Sequence, residues 1–276
     1  MPITIPTITS STRPGSPSAG DAYFETDTKD YIIYDGASWR SWENDGSFGS
    51  GSFPSNSYSA YFDGSNDYID TGRRFNFIQQ TCEFSITCWL KFNDYNASSG
   101  TVNQSIIATT PTGNVEGLYF LYDSRGGTRN LKVILRGATS VVLSATNGIG
   151  DNNWHHYAIT CGGPGGNLSL LKDGVSIASG TAPAASSNSA NHTMHLGIGL
   201  NAGPTLYGPL IDAYLDEVAV FNRELTSSEI DDIRATPYSY IKYTSLYRLE
   251  NNADDEAGAN NGTNNGATFV TSTKPY

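Results

Sequence analysis

The stretch "CEFSITCWLKF", Cys82–Phe92, alternates Phe84, Ile86, Cys88, Leu90 and Phe92 with smaller or polar neighbours. Period-two alternation puts those five side chains on one face of an extended strand and predicts a sheet resting on a core. Trp89 falls on the opposite face. Bulk on both faces fits a strand covered on both sides, or one whose outer face offers an aromatic to a ligand.

Strands of this kind recur on either side of it. "SAYFDG", "DYIDTG", "QSIIATT", "GLYFLYD", "LKVILRG", "SVVLSAT", "HHYAITC", "LSLLKDG", "VSIASG", "MHLGIGL" and "AYLDEVAVF" are rich in aromatic and β-branched residues and are separated by Gly, Asn, Asp or Pro. "KDGVS" and "YDSRGGTRN" are hairpin signals. About a dozen short strands between Tyr58 and Asn222, with turns roughly every 8–12 residues, predict an all-β sandwich or barrel. One helix is expected, in "RELTSSEIDDIRATP". Thr226 and Glu229 form a T-x-x-E capping box, Leu225, Ile230 and Ile233 give an apolar stripe, and Pro237 stops the run. It should lie against the sandwich.

Outside this region the chain changes character. Residues 1–48 read as an arm and a small β-meander. Pro2, Pro6, Pro14 and Pro17 bar the arm from being a central strand or a helix. "AYFE", "YIIY" and "WRSW" are three short strands, too few to be stable alone. "NDGSFGSGSFPSNS", Asn44–Ser57, reads as a Gly/Ser linker. Residues 58–237 hold the sandwich. Residues 238–276 form a tail: the strand-like "YIKYTSLYRLE", the low-complexity "NNADDEAGANNGTNNG" and the short strand "ATFVT".

The chain has 276 residues, 27 acidic and 16 basic, for a formal charge of -11. With no Lys/Arg cluster, a nucleic-acid partner is not expected. No segment approaches the length of an apolar membrane span, and the N-terminus lacks the basic and apolar regions of a signal peptide. Cys82 and Cys88 lie too far apart along one strand to pair. With Cys161 they read as buried thiols of a protein folded in a reducing compartment.

Several pieces together resemble the laminin G-like, concanavalin A-like lectin/glucanase family: "AYFDGSNDYIDTG", "FSITCWLKF", "DNNWHHYAIT", "LSLLKDGVSIASG", "LGIGLN" and "LDEVAVFNRELTSSEI". The resemblance covers about residues 58–235 and implies a jelly-roll β-sandwich, often glycan-binding and often with a structural Ca2+. It implies Asp63, in "YFDG", and Asp216, in "YLDEV", as the metal residues; Asp63 before Gly64 is equally a turn residue in its own right. The tail "SLYRLENNADDEAGANNGTNNGATFV" is similar to the segment that normally precedes the "FDG" strand. That implies a rearranged sandwich in which the tail fills the first strand's place, the alternative being a truncated second copy. The N-terminal "SSTRPGSPSAGDAYFETDTKDYIIYDGASWRSW" resembles a segment common in tailed-bacteriophage virion proteins, with its R-P, P-x-A-G-D, Y-F-x-T-D, Y-D-G and W-R pattern.

Glycan hydrolysis needs two carboxyls flanking one bond. Glucanases of this fold carry an E-x-D-x-x-E-type strand, and "IDAYLDEVAV" departs from it. By strict alternation Asp212 and Asp216 share a face and Glu217 takes the other, so no catalytic role is expected for them, nor for Asp63, Asp67 and Asp70. His155 and His156 alternate faces and read as structural; His192 and His195 are spaced wrongly for a two-His metal site. Trp89, Tyr119, Tyr122 and Arg136 are candidates for sugar contact, or else core and sheet-face packing.

The sequence thus predicts a non-enzymatic virion structural protein, a head fibre, capsid decoration or tail-fibre adhesin. Its partners would be other virion proteins through the N-terminal region, copies of itself with a trimer favoured, and host or environmental glycans. It would sit on the virion surface after assembly in the host cytoplasm. The alternatives are a secreted or cell-surface carbohydrate-binding module and a glycan hydrolase.

Overall fold

A computed structural model describes residues 6–18, 21–26, 30–34, 39–42, 48–49, 56–94, 103–109, 116–127, 129–188, 192–200, 206–207, 211–235, 243–258 and 260–271. Two antiparallel sheets face each other across one core. The first orders its strands as Ser140–Ala145, Asn130–Arg136, Gly117–Asp123, Asn103–Ala108, His195–Leu196, Tyr68–Asp70 and Thr263–Asn265. The second runs Val175–Thr181, Asn167–Lys172, His155–Gly162, Glu83–Phe92, Asp212–Phe221, Tyr58–Asp63 and Thr268–Thr271, with Ser245–Tyr247 also paired to Asp212–Phe221. This is the jelly-roll sandwich expected from the alternating strands.

The strand that decides the fold lies at the middle of the second sheet. Phe84, Ile86, Cys88, Leu90 and Phe92 all enter the core, where Phe120, Tyr122, Leu131, Val133 and Leu135 of the opposite sheet meet them. The three cysteines are buried and free. Trp89 is on the outer face, as its parity requires, and packs against His156 with ring centroids 5.4 Å apart.

The helix spans Ser227–Ala235 and lies on the outer face of the second sheet. Its capping box forms: the Glu229 N–H donates to Thr226 Oγ1 at 3.3 Å, and the Thr226 N–H to Glu229 Oε2 at 2.8 Å. Ile230 and Ile233 bury against Ala158, Leu171, Ala219 and Phe221. Each contributes roughly 1.5–3 kcal/mol of apolar burial. A second short helix, Phe77–Gln80, was not foreseen; at one turn it leaves no periodicity to read.

The tail is part of the sandwich. Thr263–Asn265 extends the first sheet beside Tyr68–Asp70, and Thr268–Thr271 extends the second beside Tyr58–Asp63. Tyr247, Leu249, Ala253 and Ala267 join the main core. The Glu250 carboxylate accepts the Ser57 N–H at 3.0 Å and the Tyr58 N–H at 3.2 Å, fastening the tail to the first residues of the sandwich.

The N-terminal residues build a separate five-stranded sheet in sequential order. The arm contributes Thr7–Ile8, paired in parallel with Ala22–Glu25 at the sheet edge, where Pro6 loses no ladder bond. Asp30–Tyr34, Trp39–Trp42 and Phe48–Gly49 continue it, so the last strand falls inside the stretch read as linker. Arg13 grips the buried Glu25 carboxylate through two bonds, 2.5 and 2.9 Å long. The R-P and Y-F-x-T-D elements of the sequence pattern are therefore in contact.

Candidate functional site

The outer face of the second sheet divides into three zones. The helix covers one end. Next to it, under the tail, is a buried polar knot. Beyond the knot the face opens on a row of half-buried aromatics.

The knot centres on a β-bulge. Register along Asp212–Phe221 shifts between Asp216 and Ala219, and Glu217 sits at φ +47°, a backbone region unusual for a residue with a side chain. Strict alternation would send Glu217 into the opposite face. The bulge corrects that expectation by turning Glu217 to the same side as Asp216. The Asn56 amide donates to both, 3.1 Å to Asp216 Oδ2 and 3.0 Å to Glu217 Oε1. Arg248 from the tail approaches Glu217 at 3.6 Å, and the Glu217 N–H donates to Asp216 Oδ1 at 2.9 Å. Asp216 is fully buried and Glu217 nearly so. The two adjacent carboxylates are buried beside the tail. They tie the linker end, the central strand and the tail together.

The metal expectation does not survive the register. Asp63 pairs with Asp212, whereas Asp216 pairs with Trp89. Four residues of strand, about 13 Å, separate Asp216 from the position opposite Asp63. Asp63 Oδ1 instead accepts the Ser65 N–H at 2.8 Å, and Gly64 at φ +77° makes the turn. Asp67 closes the turn by accepting the Asp63 N–H at 3.0 Å. Asp63 and Asp216 thus do not fit a shared Ca2+, and among the described residues no group of three or more His, Cys, Asp or Glu side chains could hold a metal ion.

The open zone is built by register alone. Tyr61 lies opposite Tyr214, and Tyr214 opposite Lys91. Trp154 immediately precedes His155, the partner of Leu90, and so stands level with Lys91. The Tyr61 and Tyr214 rings are 4.7 Å apart, Lys91 Nζ lies 5.0 Å from the Tyr214 centroid, and Trp154 meets Tyr214 edge-on at 6.2 Å. All four side chains are half-buried. At the Tyr61 end the Asp212 carboxylate accepts from Tyr61 Oη at 3.0 Å and from Asn93 Nδ2 at 3.2 Å. Burial, reinforced by that bond and the Asp212 charge, pushes the Tyr61 phenol up to about 12, so it remains a donor at any working pH.

None of the four residues of this row was singled out from the sequence; they come from three strands and the residue that leads into a fourth, and only the pairing brings them into line. Of the aromatics that were, Trp89, Tyr119 and Tyr122 are buried. Arg136 lies over the Tyr119 ring, 5.8 Å from its centroid. His155 is held between Asp173 at 2.6 Å and Asp151 at 3.0 Å. Among the described residues no helix is long and apolar enough to cross a membrane.

Fold and motifs converge with the comparisons. Residues 63–231 match the model of the concanavalin A-like lectin/glucanases superfamily, and the chain belongs to that family. Among solved structures it is similar to a Bacteroides ovatus protein provisionally described as carbohydrate binding. That match has 19% identity and a TM-score of 0.56, and covers 92% of this chain and 70% of the other. It is also similar to the heptameric SAP-like pentraxin of Limulus polyphemus, with 12% identity and a TM-score of 0.51, covering 80% of this chain and 98% of that one. At these identities the likeness is one of fold. No curated protein matches the sequence.

Proposed function

We propose that this chain is a non-hydrolytic glycan-recognition protein displayed on a virion surface. The observation that carries the glycan reading is the open row of Tyr61, Tyr214, Lys91 and Trp154 with the Asp212–Asn93 pair beside it. Aromatic faces stack on the C–H faces of sugar rings, and a carboxylate beside an amide offers an acceptor and a donor to hydroxyls. That combination of apolar platform and few polar groups is what small-ligand recognition requires. The family and the Bacteroides ovatus likeness are in keeping with it. The virion reading rests on the N-terminal pattern, whose Arg13–Glu25 contact gives it a structural role in the small sheet. In this reading the small sheet attaches the protein to the particle and to copies of itself, a trimer being favoured.

Full-length protein is expected to bind immobilised microbial surface polysaccharides on a glycan array and to release no reducing ends from those it binds. One observation favours a second reading: Asp63 and Asp212 lie directly opposite each other at the edge of the row, so release of reducing ends that Asp212→Asn abolishes would establish a hydrolase instead. Antibody to the chain should label intact particles, and deletion of residues 1–48 should remove the label.

A further inference from the structure

The geometry points to a linear glycan with widely spaced acidic residues as the ligand of the aromatic row, its carboxylate or sulfate held by Lys91; this rests on the glycan-binding reading above.

The first argument is the unspent charge. Arg13, Arg125, Lys132, Arg223 and Arg234 each have a carboxylate within 4.0 Å. Among the described residues no such contact is made by Lys91, although the chain carries 27 acidic residues. Its strand runs between that of Tyr214 and the one that Trp154 leads into, and its ammonium lies over the Tyr214 ring. An aromatic face is a weaker partner for an ammonium than a carboxylate is. An anionic sugar substituent arriving there forms a charge-assisted bond, stronger than a neutral one.

The second argument is reach. From Tyr61 to Trp154 the row crosses three strand spacings, about 14 Å. One sugar ring cannot span that length, so the row suits the interior of an extended chain more than a single terminal sugar. The third argument is the opposite charge at the far end. Asp212 lies on the Tyr61 side, with Tyr61 and Asn93 donating to it. A chain acidic at every ring would bring an anion against this carboxylate, and that repulsion selects against it. The row therefore accepts an acid at Lys91 and a neutral ring, read through its hydroxyls, near Asp212.

The test titrates full-length protein by calorimetry with four polymers. They are a heteropolysaccharide with one uronate per repeat, the same polymer after carboxyl reduction, a sulfated polysaccharide and a neutral homopolysaccharide. Carboxyl reduction should weaken wild-type binding about tenfold or more. The Lys91→Met variant keeps the apolar stem and should bind both forms alike, while Lys91→Arg keeps the preference. Val175→Ser, at an exposed site on the far edge of the sheet, serves as the control for handling and folding. Binding of the sulfated polymer alone, lost in Lys91→Met, assigns sulfate as the anion and supports the proposal. Equal affinity of wild type for the acidic and reduced polymers overturns the proposal and leaves glycan binding standing. Failure to bind any of the four overturns both.

Discussion

At the scale of single residues, the opening turn shows how position changes the meaning of an acid. Asp63 and Asp67 stand four residues apart in one turn, yet only Asp67 is buried, beneath the tail at Gly266. Burial raises its pKa above the ordinary aspartate value, although the Asp63 N–H bond pulls the other way. A carboxyl whose folded pKa is raised adds stability below its unfolded pKa, near 3.9. It withdraws that stability as pH rises through the folded value. Asp67→Asn keeps an oxygen to accept the Asp63 N–H and removes the charge. Its melting temperature at pH 7 should equal or exceed that of wild type, and its stability should fall less as pH rises from about 4 to 7. A lower melting temperature at pH 7 would mean that the ionised carboxylate itself is required. The sequence identifies Asp63 as a turn residue, but the different burial of the two acids is a fact about the tail, some two hundred residues away.

At the scale of elements, what was legible is what is local. The core-facing set of Cys82–Phe92 follows from alternation, and the helix follows from its cap, its stripe and Pro237. The bulge at Asp216–Ala219 was not legible, because the neighbouring strands and the Asn56 clamp hold Glu217 at its positive φ, and nothing in "DEV" announces it. The aromatic row was invisible for the same reason, since register is a property of pairs of strands. The helix cap supports a quantitative prediction. The Arg223 guanidinium, then the Thr226 N–H and hydroxyl, outweigh burial and lower the Glu229 pKa from 4.5 to about 2. Such a group stabilises above its unfolded pKa and loses that contribution as pH falls through its folded one. Glu229→Gln keeps an oxygen for the Thr226 N–H and removes only the charge, so it should cost up to about 1 kcal/mol at pH 7, from the weaker neutral acceptor and the screened Arg223 pair. The gap to wild type should close as pH falls from 4.5 to about 2. A gap that stays constant with pH would point to packing and away from charge.

At the scale of the whole molecule, the order of the pieces matters more than their identity. The tail resembles the segment that precedes "YFDG" in the family, and here it reaches that same strand from the C-terminal side. Its two last strands extend both sheets at one edge, and Ser245–Tyr247 pairs with the central strand. Glu250 and Arg248 then bind the linker end and the bulge. Removing the tail would uncover Ile69, which lies beside Gly262, and leave unpaired backbone along two strands, each a template for aggregation. It would also strip Arg248 from Glu217. A chain ending at residue 242 should accordingly lack a cooperative melt and bind a hydrophobic dye. A peptide of residues 243–271 added in trans should restore the transition, because the strands it supplies need no covalent link to pair. If the shortened chain melts at the wild-type temperature with no dye binding, the sandwich is complete without its tail and the interlock is only a surface attachment.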